Sequence, residues 1–107
     1  MDNNFLDYKD AVNFNTEKFY KATLFRSDRM LLGLNCLEPG QVQKVHDHTD
    51  QDKFYFVIEG EGIFVVGDQE KVASAGMVVW APASIPHGVS NQSQDRLVIL
   101  MGIAPAP

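Results

Sequence analysis

Two histidines one residue apart, His46 and His48, stand ahead of a lysine and a hydrophobic run in the stretch from Lys44 to Gly62, KVHDHTDQDKFYFVIEGEG. On a β-strand, residues i and i+2 share one face, with backbone positions about 7 Å apart. Two imidazoles so placed can chelate a single metal ion. The triplet arises easily by chance, so it carries little weight alone. The chain has three histidines in all, and the third is His87, in the stretch GMVVWAPASIPHGVSN from Gly76 to Asn91. Asp47 takes the parity opposite the two histidines and is given no catalytic role. Lys53 and Tyr55 share a parity, which makes them the two candidates for a catalytic or substrate-binding group on a pocket wall. Glu59 and Glu61 belong to a solvated turn.

The elements that must position these groups read as short strands. Runs rich in β-branched, aromatic and aliphatic residues span Phe19–Phe25, Met30–Leu37, Gln41–His48, Phe54–Ile58, Ile63–Val66, Met77–Trp80 and Leu97–Ile103, with His87 opening a further strand. Ser-Asp, Pro-Gly, Gly-x-Gly, Gly-Asp and Ala-Pro punctuate them, the signature of an all-β antiparallel sandwich or barrel. No helical period is sustained, although the leucines of Met30–Leu37 also suit a short helix. Residues 1–18 read as a leading arm that adds a strand or lies across the body. Residues 19–107 form one domain, the size expected of 107 residues.

In Phe54-Tyr55-Phe56-Val57-Ile58 both faces are apolar. Tyr55 and Val57 line an interior; Phe54, Phe56 and Ile58 then point outward. A contiguous apolar patch needs a cover. A homodimer packed sheet against sheet supplies one, and the N-terminal arm is the alternative. Trp80, Phe64 and Met77 are read as core or pocket wall, and Cys36 as a buried, inert thiol.

Composition narrows the function. With 9 Lys and Arg against 14 Asp and Glu, the net charge is -5, which argues against a nucleic-acid partner because no cation excess can release phosphate counterions. Cys36 is the sole cysteine, so an intrachain disulfide is impossible, in keeping with a reducing compartment. No secretory signal and no run of about 18 apolar residues is present. The expectation is a cytoplasmic protein with a small-molecule ligand and no membrane partner.

The two histidine-bearing stretches resemble the two motifs of the cupin superfamily. Gly40, five residues, His46-x-His48, four residues, Lys53, six residues, Gly60 follows the first motif. Gly76, Pro82, Ser84, His87 and Asn91 follow the second, with Ser84 replacing the usual glycine. The resemblance implies a jelly-roll, double-stranded β-helix barrel with one divalent transition metal (Fe, Ni, Mn, Zn or Cu) near one mouth, held by His46, His48 and His87. Gly60 and Gly76 then mark tight bends, and Asn91 faces inward or bonds a loop.

Lys53 occupies the position of the family's glutamate ligand. Protonated, it has no lone pair and cannot ligate a cation. Three arrangements follow: a three-histidine site with open positions, where Lys53 binds an anionic substrate or turns away to pair with Asp50 or Asp52; a site in which Asp52 takes the glutamate's place; or a weakly metal-binding pocket for an anion. The favoured reading is a metal-binding cupin, a dioxygenase-type oxidoreductase acting on a small anionic or oxygenated organic molecule. A metal-dependent isomerase or lyase, and a non-catalytic sugar or metabolite binder, are the alternatives.

Overall fold

The structure, a computed structural model, describes residues 3–47 and 49–107. The alternating and β-branched runs form nine strands among these residues: β1 Tyr20–Arg26, β2 Leu31–Leu37, β3 Val42–His46, β4 Asp52–Glu59, β5 Glu61–Val66, β6 Gln69–Ser74, β7 Val78–Ala81, β8 His87–Ser90 and β9 Leu97–Ala104. They make two antiparallel sheets, ordered β1-β2-β9-β4-β7 and β3-β8-β5-β6. This is the all-β jelly roll the motifs imply. No helix among the described residues is long and apolar enough to cross a membrane.

Met30–Leu37 proves to contain a strand. It lacks alternation because β2 is buried on both faces. Leu31 and Leu37 pack into the space between the sheets with Tyr55, Val57, Phe64, Ile99 and Met101. Leu34 and Cys36 face the other way, against Val98. Each side chain fully removed from water contributes about 1.5–3 kcal/mol, so this double-sided strand anchors both clusters. β6 is a strand that the residue pattern does not announce, because only Ala73 is buried and, apart from Val72, its exposed residues are polar.

Most of the arm lies across the five-stranded sheet, with one 3-10 turn at Tyr8–Asp10 and no strand among its described residues. Tyr8, Ala11, Val12 and Phe14 cover Leu34, Cys36 and Val98, along with the outward-facing Ile58 and Leu100. Tyr8 donates its hydroxyl to Glu59 at 2.9 Å, and the Arg96 guanidinium lies 4.2 Å from the Phe14 ring centre. Cys36 is therefore beneath the arm, outside the barrel interior, and burial pushes its thiol up.

The arm stops short of the sheet's β7 edge. There Phe54 pairs with Trp80 and Phe56 with Val78. The Phe54 ring packs over Gly102, whose missing Cβ leaves room for it. Trp80 and Val78 remain 57% and 64% exposed. Trp80 and Met77 are thus exposed and outside the core, and of the two roles expected of them they take the pocket wall, lining a second cavity of about 600 Å³ whose wall Phe64 reaches from the core.

Gly60 joins β4 to β5 with φ +81°, and a Cβ there would sit 2.3 Å from the Arg96 carbonyl oxygen. Only glycine meets both demands, the left-handed backbone and the close approach.

Candidate metal centre and the adjoining cavity

β3 and β8 run antiparallel in the smaller sheet, and His46 is the register partner of His87. One extra residue is accommodated in β3 between Gln43 and His46. Such a bulge resets the alternation of facing, so Gln43 and His46, an odd number of residues apart, both reach the same cavity. Gly88 lets the strands approach: a Cβ there would lie 2.8 Å from the Gln43 carbonyl oxygen.

The His46 and His87 rings meet edge to face, 4.5 Å between centroids at 61°. His87 is buried and His46 half-buried. Nδ1 of His46 lies 2.8 Å from the Lys44 carbonyl oxygen, and Nδ1 of His87 lies 2.9 Å from that of Ile85. A carbonyl only accepts, so each Nδ1 carries the proton. In the neutral ring this places the lone pair on Nε2, the arrangement that orients a metal-binding imidazole. His48 falls outside the described residues. Among those described, no three His, Cys, Asp or Glu side chains gather at one point.

The turn that delivers His87 is tied to the segment following His48. Ser84 donates from Oγ to the Thr49 carbonyl at 3.0 Å, and the Ala83 N–H donates to the Asp52 carboxylate at 2.9 Å. Ser84 has φ +68°, so the position where the second motif has its usual glycine retains a left-handed backbone. A non-glycine residue there costs about 1–2 kcal/mol, which the Oγ bond offsets in part. Asp52 is exposed and bonded to this turn, the position opposite Lys53 expected from parity. Asp47 is exposed too.

Lys53, 3% exposed, points inward from β4 between Ala81 and Ile103. It does not turn away to pair with Asp50 or Asp52. Its ammonium stands 4.7 Å from the centre of the Tyr55 ring. Burial first, and the like charge of Lys21 second, pull its pKa from 10.5 down to about 8. Tyr55, fully buried, donates its hydroxyl across the sandwich to Gln43 Oε1 at 2.7 Å. Burial raises its pKa well above the ordinary phenol. Tyr55 is thus a core residue and a brace, its ring 6.2 Å from that of His87, and its hydroxyl is engaged with Gln43.

A cavity of about 640 Å³ opens beside these groups. Its wall includes His46, Lys53, Gln43, Asn35 and Lys21, with no Asp or Glu among the described lining residues. Asn35 and Gln43 are site residues that sequence reasoning misses. A signal for Asn35 exists, as a lone amide in the apolar run LLGLNCL, where a strand buried on both faces has no solvent for it.

Asn91, also fully buried, holds the far end of β8. Its Nδ2 donates to the carbonyls of Leu37 and Asp95, and its Oδ1 accepts from the N–H and hydroxyl of Ser93. Of the two roles open to it, it bonds the loops.

The cupin domain family model matches residues 33–103, which spans both histidine motifs and most of the barrel. The chain is a cupin. An uncharacterized protein of Streptomyces coelicolor is 32% identical to this cupin over 76 residues, 71% of either chain. A crystal structure from Thermus thermophilus superposes with a TM-score of 0.94 at 44% identity, covering 96% of this cupin and 98% of that chain. An RmlC-like cupin of Desulfovibrio desulfuricans gives a TM-score of 0.80 at 33% identity, covering 98% and 96%.

Proposed function

We propose that this cupin holds one divalent transition metal on His46, His48 and His87 and uses it on a small organic molecule bound in the adjoining cavity. The observation that carries this reading is the meeting of His46 and His87 at 4.5 Å, each with Nδ1 turned to a backbone carbonyl. Nitrogen donors of this kind suit Fe, Ni, Cu and Zn, and Mn less tightly. A metal held there supplies Lewis acidity and, for a redox ion, a site for dioxygenase-type oxidation. Lys53 contributes a cation and no ligand. The protein's own part is to place the substrate: Lys53 attracts its negative end, and the Tyr55–Gln43 brace keeps the wall rigid.

Metal analysis of protein purified without chelators tests the reading. About one transition metal per chain is expected, with a loss of at least tenfold in affinity for His87→Ala, the range set by removal of metal-orienting groups. Metal-free protein whose melting temperature does not respond to added Fe, Ni, Mn, Zn or Cu overturns it.

A second reading is a binding module without catalysis. It is favoured by the absence of Asp and Glu from the described cavity wall, which leaves no carboxylate there to serve as general base. The same absence weighs against isomerisation by proton shuttling. Oxygen consumption by the iron-loaded protein with oxygenated organic acids separates the two.

A homodimer belongs to this proposal. The arm covers Ile58 and Leu100, yet Trp80 and Val78 beside Phe54 and Phe56 remain outside its reach. Trp80→Glu should convert a dimer to a monomer in sedimentation velocity; an unaltered sedimentation coefficient places the interface elsewhere.

A further inference from the structure

The cavity wall gathers several hydrogen-bond donors and no Asp or Glu among its described lining residues. Lys53 is buried with its ammonium inside and no Asp or Glu among the described lining residues. Gln43 has committed its Oε1 to the Tyr55 hydroxyl, so the group it has left is the donating –NH2. Asn35, 2% exposed, has an Nδ2 that is fully buried and meets no hydrogen-bond partner among the described residues. Lys21 stands opposite Asn35 in the β1–β2 register and lines the same space.

Burying a donor without a partner costs about 1–3 kcal/mol, and burying a charge costs more. Such groups persist where something outside the chain satisfies them. What satisfies a set of donors is a molecule rich in acceptors, and what satisfies Lys53 carries negative charge. The donors are also spread out. Lys53 is level with Leu31 across β9, whereas Asn35 lies four residues further along β2, about 13 Å at strand rise.

We propose that the cavity binds a small hydroxy- or oxo-carboxylic acid, its carboxylate on Lys53 and its remaining oxygens on the amide N–H groups of Gln43 and Asn35. The acid lies lengthwise between the sheets. Its carboxylate end is nearest the Tyr55 ring, over which the Lys53 ammonium sits. The proposal deepens the reading of the cavity as a small-molecule site and is independent of whether the histidines hold a metal. No bond is made or broken in it.

Calorimetric titration of the purified protein with gluconate, malate and citrate tests this, with glucose and glycerol as neutral counterparts and glycerol 3-phosphate as the phosphate counterpart. At least one of the acids is expected to bind, and the neutral polyols are not. Lys53→Met should weaken that acid roughly 10- to 100-fold, the range of one charge-assisted hydrogen bond. Asn35→Leu, which keeps volume and removes the donor, should weaken it roughly tenfold. Circular dichroism confirms that both variants are folded. Glucose binding as tightly as gluconate, glycerol 3-phosphate outcompeting every acid, no acid binding at all, or undiminished binding to Lys53→Met each overturns the proposal. Metal content is measured on the same samples. Acid binding in metal-free protein leaves this inference standing and removes the metal reading; a stoichiometric metal without acid binding does the reverse.

Discussion

Replacing Lys53 with methionine is expected to raise the stability of the ligand-free protein by about 2–3 kcal/mol at pH 7, since exchanging a buried charge for an apolar side chain of similar length removes a desolvation cost. The size follows from the lysine itself. Its pKa falls from 10.5 to about 8 because of burial and the neighbouring Lys21, and that difference corresponds to about 3 kcal/mol at 1.36 kcal/mol per tenfold change in acidity. Below pH 8 both folded and unfolded chains carry the proton, and the folded protein bears the whole cost. Between pH 8 and 10.5 the unfolded chain binds more protons at this site than the folded one, so wild-type stability rises with pH through that window relative to the variant. The advantage of Lys53→Met therefore shrinks as the pH rises from 8 to 10. Guanidinium unfolding at a series of pH values measures it. A variant no more stable than wild type at pH 7 shows that the ammonium is not desolvated. A gain in stability combined with a loss of acid binding is the pattern of a residue kept for function at the expense of the fold.

Asn91→Ala is expected to destabilise the protein by about 3 kcal/mol, because several buried hydrogen bonds vanish and their carbonyl partners stay buried. The Asn91 amide bridges Leu37 at the end of β2, Asp95 and Ser93. Its backbone also joins the β3 side, accepting from the Gly40 N–H at 2.7 Å and donating to the Gln41 carbonyl at 2.9 Å. Asn91→Asp keeps the shape but sets a carboxylate against two carbonyl oxygens, so it should cost at least as much as alanine. Thermal unfolding of both variants at neutral pH decides. A loss under about 1 kcal/mol for alanine, no more than one ordinary hydrogen bond, shows that the loop closes without the bridge. Because β8 also carries His87, unfolding there should part its ring from that of His46.

The fold was legible where side chains alternate or where glycine and proline punctuate. Lys53, Tyr55 and Val57 inside against Phe54, Phe56 and Ile58 outside is the parity that the structure places on β4. The spacing of the two motifs foretold that His46 and His87 would meet, although they are 41 residues apart in the chain. β6 was hidden because an edge strand with one buried residue has the composition of a loop. The roles of Asn35 and Gln43 were hidden for another reason. They depend on which strands face one another across the sandwich, and on a bulge in β3 that reverses parity between Gln43 and His46. No local pattern encodes either. Parity with Lys53 puts Tyr55 in the interior, as the structure does, but its hydroxyl is turned to Gln43, a partner on the opposite sheet.

The cavity wall and its rim hold Lys18, Lys21, Lys44 and Lys53, four of the nine cations in the chain, which leaves five to face 14 acids over the rest of the surface. The molecule is acidic over most of its surface and basic around the cavity, with Lys18, Lys21 and Lys44 exposed at the rim and Lys53 buried inside. An anion diffusing toward it meets repulsion at long range and attraction only near the mouth, where the exposed lysines stand. Salt screens the first over about 8–10 Å and the sheltered interior far less. Raising ionic strength should therefore quicken capture while scarcely hastening escape, the reverse of the salt dependence of a surface that steers its ligand in by opposite charge.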